Sequence, residues 1–432
     1  MRNDFSDLTL VITGPTYVRE EIKKAALLPE FGHRDSEAKK RLEPAMTNLK
    51  HIMCLSPHDP DYNIVLFPGT GSLAMEASIA SLVAPGETVL CVSVGAFGDL
   101  YEQIALSHTP NVMKLKFQDG KPINLGILED VLAKYKPGVV TFTHNETSTG
   151  VINDVEAVGK LIRKYNALPL VDGVSILGGA PTKIKEGNIA MYVSSTQKCL
   201  GLPAGFGIAA ISKEANEKAK SLTSKLEMIE EKGEGYSIFI PSRLTNKGKD
   251  MHTRGHVTDI VENIKLAEQF QTLTTTPSTL ANQLYVQTKY IVEEEGIENR
   301  FARHKEMRDI TIEWIKTLPD GFELFSDLDY ASPSLTCIKV PENLDRKLLK
   351  ESLKKEKNIT TDGKEMTGYL FDPGYKKLKT PTIRIGHMGD ITKEMLMPYL
   401  DTIKRHLTSI LDATLHRVDG FLLKDYKGSY LR

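Results

Sequence analysis

Between residues 63 and 211 the chain alternates short apolar runs with stretches of helical period. Asn63–Phe67 reads as a strand, Ser72–Leu82 as a helix, Thr88–Val94 as a strand and Gly98–Leu106 as a helix. Val112–Lys116 is a further strand, followed by a helix at Leu128–Tyr135, a strand at Val139–Thr143, a helix at Val155–Tyr165 and a strand at Leu168–Val171. Two more apolar runs, Ile189–Ser194 and Phe206–Ile211, follow with little between them. Strands alternating with helices predict an α/β fold, a mostly parallel sheet covered on both faces, with the closing pair antiparallel to it. Ahead of this, Ala38, Leu42, Met46 and Leu49 give Asp35–Cys54 a helical period, and Pro44 inside it predicts a kink or a break.

The rhythm changes near residue 213. The segment 212–235 is dense in Lys and Glu, as a solvated helix and its connector would be, and 236–276 is polar and poorly periodic. Helical pattern returns at Leu280–Glu295 and Arg300–Leu318. The apolar runs Leu335–Val340 and Thr382–Ile385 then alternate with helical stretches at Leu344–Lys354 and Lys393–Ile410. This predicts a smaller α+β unit, and a division into an N-terminal segment 1–15, a large domain 16–285 and a small domain 286–432.

Composition narrows the class. The chain has 432 residues, with Lys plus Arg at 55 against Asp plus Glu at 56, so nothing in its charge points to nucleic acid or an anionic membrane. Cys54, Cys91, Cys199 and Cys337 are scattered, with no metal spacing, and fit a reducing compartment. The run Leu8–Ile12 is too short for a secretory signal and no apolar run approaches the roughly 20 residues of a membrane span. The expectation is a cytoplasmic protein.

Candidate chemistry gathers where strands end. Strand carboxyl ends line the ligand crevice of an open α/β sheet. One such end delivers Asp172 and another presents Lys198 within Ser195-Thr196-Gln197-Lys198. Taken singly, Lys198 is more often a solvated lysine and Asp172 a turn or cap residue. Together they suit pyridoxal phosphate (PLP), with the amine forming a Schiff base and the carboxylate keeping the pyridine nitrogen protonated. Gly69-Thr70-Gly71-Ser72 joins a strand to a helix, where unpaired N–H groups and small residues can close on a phosphate. A plain tight turn reads the same way. His144–Gly150 and Gly95–Gly98 also follow strands, the second carrying Phe97, a ring able to stack on a planar group or simply to fill the core. Arg384, between apolar neighbours, needs an anion, either a substrate carboxylate or an internal salt bridge.

In their order these pieces resemble the class V aminotransferases of PLP fold type I. The nearest branch holds the serine/alanine:glyoxylate (or pyruvate) and 2-aminoethylphosphonate:pyruvate aminotransferases. The resemblance runs from Gly14-Pro15 to about residue 410, and rests most on Glu146–Gly150, Val171–Ser175 with Gly178-Gly179, and Ser195–Lys198. Arg384–Gly386 and Gly32-His33-Arg34 also match. It implies that Lys198 is the Schiff-base lysine, that Asp172 partners the pyridine nitrogen and that Thr70, Gly71, Ser72 and Gln197 hold the phosphate. Phe97 would cover one face of the ring and Val174 the other. Thr147 would lie near the phenolic oxygen or the substrate, and Arg384 would clamp the α-carboxylate. A homodimer with shared sites is implied, with Thr275 reaching the partner's phosphate. The family's tyrosine is absent near there, where Thr272 stands.

The activity implied is ping-pong transfer of an amino group from a small amino acid of the alanine or serine type to a 2-oxo acid such as glyoxylate or pyruvate, with a 2-aminoethylphosphonate or phosphoserine-type aminotransferase as the alternative within the family. His33 and Arg34 form either a second anion contact, suited to a phosphonate or dicarboxylate, or a structural turn. Two alternatives stand beside this reading. One is a desulfurase or other lyase of the same fold; desulfurases typically show a histidine over the ring and a cysteine on a mobile loop, whereas Phe97 holds the ring position here and Cys337 sits in a strand-like run. A binding protein that kept the fold would have little use for both Lys198 and Asp172.

Overall fold

The computed structural model describes residues 6–222, 228–241, 254–360 and 363–426. Its centre is a seven-stranded sheet of β1 (Tyr62–Gly69), β2 (Val89–Ser93), β3 (Val112–Lys116), β4 (Val139–Thr143), β5 (Leu168–Asp172), β6 (Met191–Ser195) and β7 (Gly205–Ser212). The spatial order is β1-β7-β6-β5-β4-β2-β3. Every residue of β2, β4, β5 and β6 is buried, which is why these strands read as unbroken apolar runs rather than alternating ones. The edge strand β3 is only partly buried.

Only β7 runs antiparallel, to both β1 and β6, whereas β6 is parallel to β5. The sequence expectation of an antiparallel closing pair is thus corrected for β6. A parallel connection needs a crossover of about a dozen residues or more. The segment 173–190 between β5 and β6 supplies that length, and the shorter one between β6 and β7 does not. From β2 the chain moves outward to β3, and from β4 it moves the other way through β5 to β6. The loops after β2 and β4 therefore flank the point where the strand order reverses, the usual position of a ligand crevice.

Helices close both faces. Val155–Lys164 is typical, with Asp154 capping the Ala157 N–H at 3.0 Å and Val155, Val158, Gly159 and Ile162 on its buried side. The helix Ser36–Ile52 runs through Pro44 without a break. Proline there costs the hydrogen bond to the carbonyl of Lys40, and Lys40 lies on the exposed side of the helix, where the loss costs least. The polar stretch after residue 222 includes a hairpin, Met228–Gly233 paired with Tyr236–Pro241, and a helix at Ile260–Ala267.

A second sheet of four antiparallel strands follows, in the order Glu323–Leu324, Leu335–Lys339, Thr382–Gly386, Asp372–Pro373. The buried apolar side chains form two large clusters. One runs from Ile22 to Phe301, and the other joins Met307 through Leu411 to Val11 and Tyr17 of the N-terminal segment. The change from one core to the other falls within the helix Ile297–Ile315. Leu8–Thr9 pairs with Gly368–Tyr369, so the chain's beginning is fastened to this second unit and delivers Thr13 and Gly14 back to the main sheet. No helix among the described residues is long and apolar enough to cross a membrane.

Candidate active site

Lys198 follows β6 by three residues, in a loop closed by the bond from the Gly201 N–H to its own carbonyl at 2.9 Å. Its Nζ donates to the carbonyl of Thr13 at 2.5 Å. This approach depends on Gly14, whose φ is +102° and where a Cβ would lie 2.5 Å from Lys198 Cδ and 2.7 Å from Nζ. Burial, and after it the positive charge of Arg384, brings the Lys198 amine down to about 8.

Asp172 ends β5 and is 3% exposed. Its Oδ1 accepts the Val174 N–H at 2.9 Å. Burial raises the carboxyl to about 7, opposed by that N–H; Glu146 adds to the rise and Lys198 opposes it. Behind it the His144 N–H donates to the Asp172 carbonyl at 2.8 Å, and His144 Nδ1 lies 2.9 Å from the Tyr192 hydroxyl. Burial brings His144 down to about 3, so this ring is neutral and serves as packing and hydrogen-bond support.

Arg384 sits in the strand Thr382–Gly386 and is 7% exposed. Its Nε and Nη2 donate to Asp372 Oδ1 at 3.1 and 2.8 Å, and Nη1 donates to the carbonyl of Thr147 at 3.1 Å. These contacts leave one N–H on each terminal nitrogen. The other Asp372 oxygen accepts the Thr13 N–H at 3.0 Å and the Thr13 hydroxyl at 2.8 Å. One continuous path thus runs from Lys198 through Thr13 and Asp372 to Arg384 and Thr147.

Phe97 lies in the first turn of the helix Ala96–His108 and stacks on Tyr375, with ring centres 5.4 Å apart and planes 12° from parallel. Glu146 Oε2 accepts the Phe97 and Gly98 N–H groups at 3.0 and 3.2 Å, and its Oε1 accepts from Ser148. This buried carboxylate, raised by its desolvation, anchors the helix start that carries Phe97.

The turn after β1 is shaped for a small anion. Thr70 caps the helix Gly71–Leu82 without a side-chain bond, and Thr70 and Ser72 are exposed. A Cβ at Gly71 would come within 2.6 Å of Val174 Cγ2 and 3.4 Å of Ser195 Oγ. Ser195 Oγ and Gln197 Oε1 are both buried and without a partner. Unpaired buried polar atoms are costly, so the Ser195 hydroxyl beside a glycine at a helix start, two residues from Gln197, is the mark of a ligand cradle.

The expected residues Thr70, Gly71, Ser72, Phe97, Thr147, Asp172, Val174, Gln197, Lys198 and Arg384 therefore converge on one crevice. His33, Arg34 and Thr275 form a separate group. Arg34 donates to Gln271 Oε1 and the Thr272 carbonyl, both at 2.8 Å, and to the Leu273 carbonyl at 3.1 Å, close in sequence to the exposed Thr275. Sequence reasoning assigned no role to Thr13, Gly14, Ser195, Asp372 or Tyr375. Cys337 is buried in the strand Leu335–Lys339 with its thiol raised to about 12, which removes the reactive cysteine of the desulfurase alternative. Among the described residues no cluster of His, Cys, Asp and Glu is placed to hold a metal.

The fold is that of PLP fold type I. The chain belongs to the class-V aminotransferase family, whose model matches residues 23–244, and it is a PLP-dependent aminotransferase. It is similar to the L-aspartate–glyoxylate aminotransferase of Paracoccus denitrificans, 28% identical over 403 residues that cover 91% of this chain and 89% of that one. An uncharacterised aminotransferase of Methanocaldococcus jannaschii is 28% identical over 390 residues, 90% of each chain. Among solved structures, the ureidoglycine–glyoxylate aminotransferase of Bacillus subtilis shares the fold with a TM-score of 0.80 at 24% identity, over 95% of both chains.

The position of the Lys198 amine near 8 has a direct consequence. Only the neutral amine adds to an aldehyde, so uptake of PLP by cofactor-free protein is expected to speed up with pH and level off above about 8. Stopped-flow absorbance across the pH range checks it, and a midpoint near 10.5, the ordinary value, would contradict the buried setting of Lys198.

Proposed function

We propose that the enzyme moves the amino group of a small amino acid, of the alanine or serine type, to a 2-oxo acid such as glyoxylate or pyruvate. The observation that carries this reading is the path from Lys198 to Arg384, which puts an amine of lowered basicity and a carboxylate-binding guanidinium in one crevice. Bound there, PLP supplies an electrophilic carbon for the incoming amine and an electron sink for the reaction. Lys198 would hold the cofactor and, once its amine is free, would take up the proton from the substrate's α-carbon. Asp172 holds the proton on the ring nitrogen. Thr70, Gly71, Ser72 and Gln197 bind the phosphate, together with the unpaired Ser195 hydroxyl. Phe97 and Val174 enclose the ring, and Thr147 lies beside the substrate.

Arg384 takes the substrate's α-carboxylate with its remaining N–H groups. Tyr375, whose ring centre is 5.6 Å from the Arg384 guanidinium, walls this region and favours a short side chain. Glyoxylate as acceptor is supported by the names of the relatives from Paracoccus and Bacillus. The second reading is 2-aminoethylphosphonate as donor, the activity named for a Phocaeicola vulgatus relative 24% identical over 398 residues. We further read the chain as a homodimer, with Thr275 of each copy completing the other's phosphate site, and as a large domain 16–285 and a small domain 286–432; two buried cores support two units, with the change between Phe301 and Met307.

A half-reaction screen tests the substrate. Amino acids are added one at a time to the PLP-loaded enzyme while the cofactor's visible band is followed. Alanine or serine is expected to bleach it, and glyoxylate or pyruvate to restore it, with parallel lines in double-reciprocal plots. Bleaching by 2-aminoethylphosphonate and not by alanine or serine would replace the first reading by the second.

A further inference from the structure

Asp372 is a buried carboxylate, 7% exposed, that the chain itself fully engages. Oδ1 takes two donors from Arg384 and Oδ2 takes two from Thr13. The pairing of Asp372–Pro373 with the strand Thr382–Gly386 sets Asp372 opposite Arg384, so the backbone register and not a chance rotamer makes the contact. The side of the guanidinium that carries Nε is therefore occupied by a fixed internal anion. What remains for a ligand is the single N–H on Nη1 and on Nη2, enough for one carboxylate bound end-on.

Charge points the same way. The Arg384 charge is already balanced by Asp372, so a substrate's second anionic group in this region would meet the Asp372 carboxylate without a fresh cation to offset it. Arg34, expected with His33 as a second anion contact, bonds to Gln271 and the carbonyls of Thr272 and Leu273, and none of these bonds joins it to Arg384 or Asp372. Lys376 has its Nζ 5.8 Å from the Tyr375 ring centre, but it is exposed, so solvent screens its charge and it offsets a second anion only weakly.

We propose that Asp372 is a positioning and specificity-determining residue, which aims Arg384 end-on at the substrate and restricts the site to substrates bearing one anionic group there, against dicarboxylates. This rests on the reading that Arg384 binds the substrate carboxylate. Thr13 extends the effect, since the same carboxylate holds the backbone that receives Lys198 Nζ.

Acetate and malonate, inert probes with one and two charges at neutral pH, are titrated into the PLP-loaded enzyme while the cofactor's visible band is followed. The wild type is expected to prefer acetate by about tenfold or more. Asp372→Asn should weaken acetate and tighten malonate, each by about tenfold, and raise KM for alanine more than it lowers kcat. Asp372→Glu keeps the charge and should keep the preference for acetate, whatever its effect on KM. A wild type that binds malonate as well as acetate, or an Asp372→Asn that weakens both alike, overturns the proposal. Acetate binding untouched in Arg384→Lys instead overturns the clamp reading beneath it. Should Asp372→Asn not fold, the wild-type preference and Asp372→Glu still decide.

Discussion

Lys198→Ala is expected to abolish transamination, with kcat down by about 10⁴-fold or more, because one side chain supplies both the covalent attachment and the proton carrier. No neighbour can substitute. Among the groups around it, Asp172 is raised to about 7 and held by the Val174 N–H, His144 is neutral with its Nδ1 against Tyr192, and Cys199 is buried with its thiol raised to about 11. The fold should tolerate the change. The Lys198 amine makes one described hydrogen bond, to Thr13, and the loop is held by the Cys199 and Leu200 carbonyls, which accept from Arg300 at 2.7 Å and Gln287 at 2.7 Å. Thermal melting close to that of the wild type would confirm intact protein. Borohydride treatment in the presence of PLP, followed by peptide mass mapping, should label Lys198 in the wild type and no other lysine in the variant. Turnover surviving in Lys198→Ala, or labelling elsewhere, would move the reacting amine to another residue.

What could be seen in the sequence and what could not divides along the range of the interactions. Strands buried on both faces announce themselves as apolar runs, and a polar residue that closes such a run lies at the strand's carboxyl end, so Asp172 and the loop of Lys198 are legible. The sequence allows Arg384 either a substrate clamp or an internal salt bridge, and the structure shows a salt bridge to Asp372 with N–H groups to spare. Asp372 itself carried no signal. Phe371-Asp372-Pro373-Gly374 looks like an ordinary turn, and its roles come from a strand register and from Thr13, 359 residues away. Ser195 was hidden for a different reason, as a hydroxyl at the end of a buried strand differs from a packed serine only by lacking a partner. The hairpin at 228–241 was missed because dense Lys and Glu in one strand masked the alternation Tyr236, Ile238, Ile240 in the other.

Asp172→Asn is expected to make a more stable protein and a much poorer enzyme, and the two effects share one cause. In the cofactor-free chain the carboxyl is buried and raised from 3.8 to about 7. A carboxyl raised on folding binds more protons in the folded than in the unfolded state, so stability is fully present below pH 3.8 and declines as pH rises towards 7. The full difference is worth up to about 4 kcal/mol. Asparagine has the same shape, can still accept the Val174 N–H and never ionises. Cofactor-free Asp172→Asn should therefore be more stable than the wild type at pH 8 and level with it in acid, as read from denaturant melts at the two pH values. With PLP present the comparison reverses in sense. The ionised carboxylate is what keeps a proton on the ring nitrogen, and an amide cannot do so, so kcat should fall by about 10²- to 10³-fold. A cofactor-free variant with the wild type's pH dependence would show that Asp172 ionises freely. Unchanged turnover in a stabilised variant would show that the ring nitrogen finds its partner elsewhere. Stability lost to a charge held where catalysis requires it is the physical signature that separates a site residue from one that merely packs.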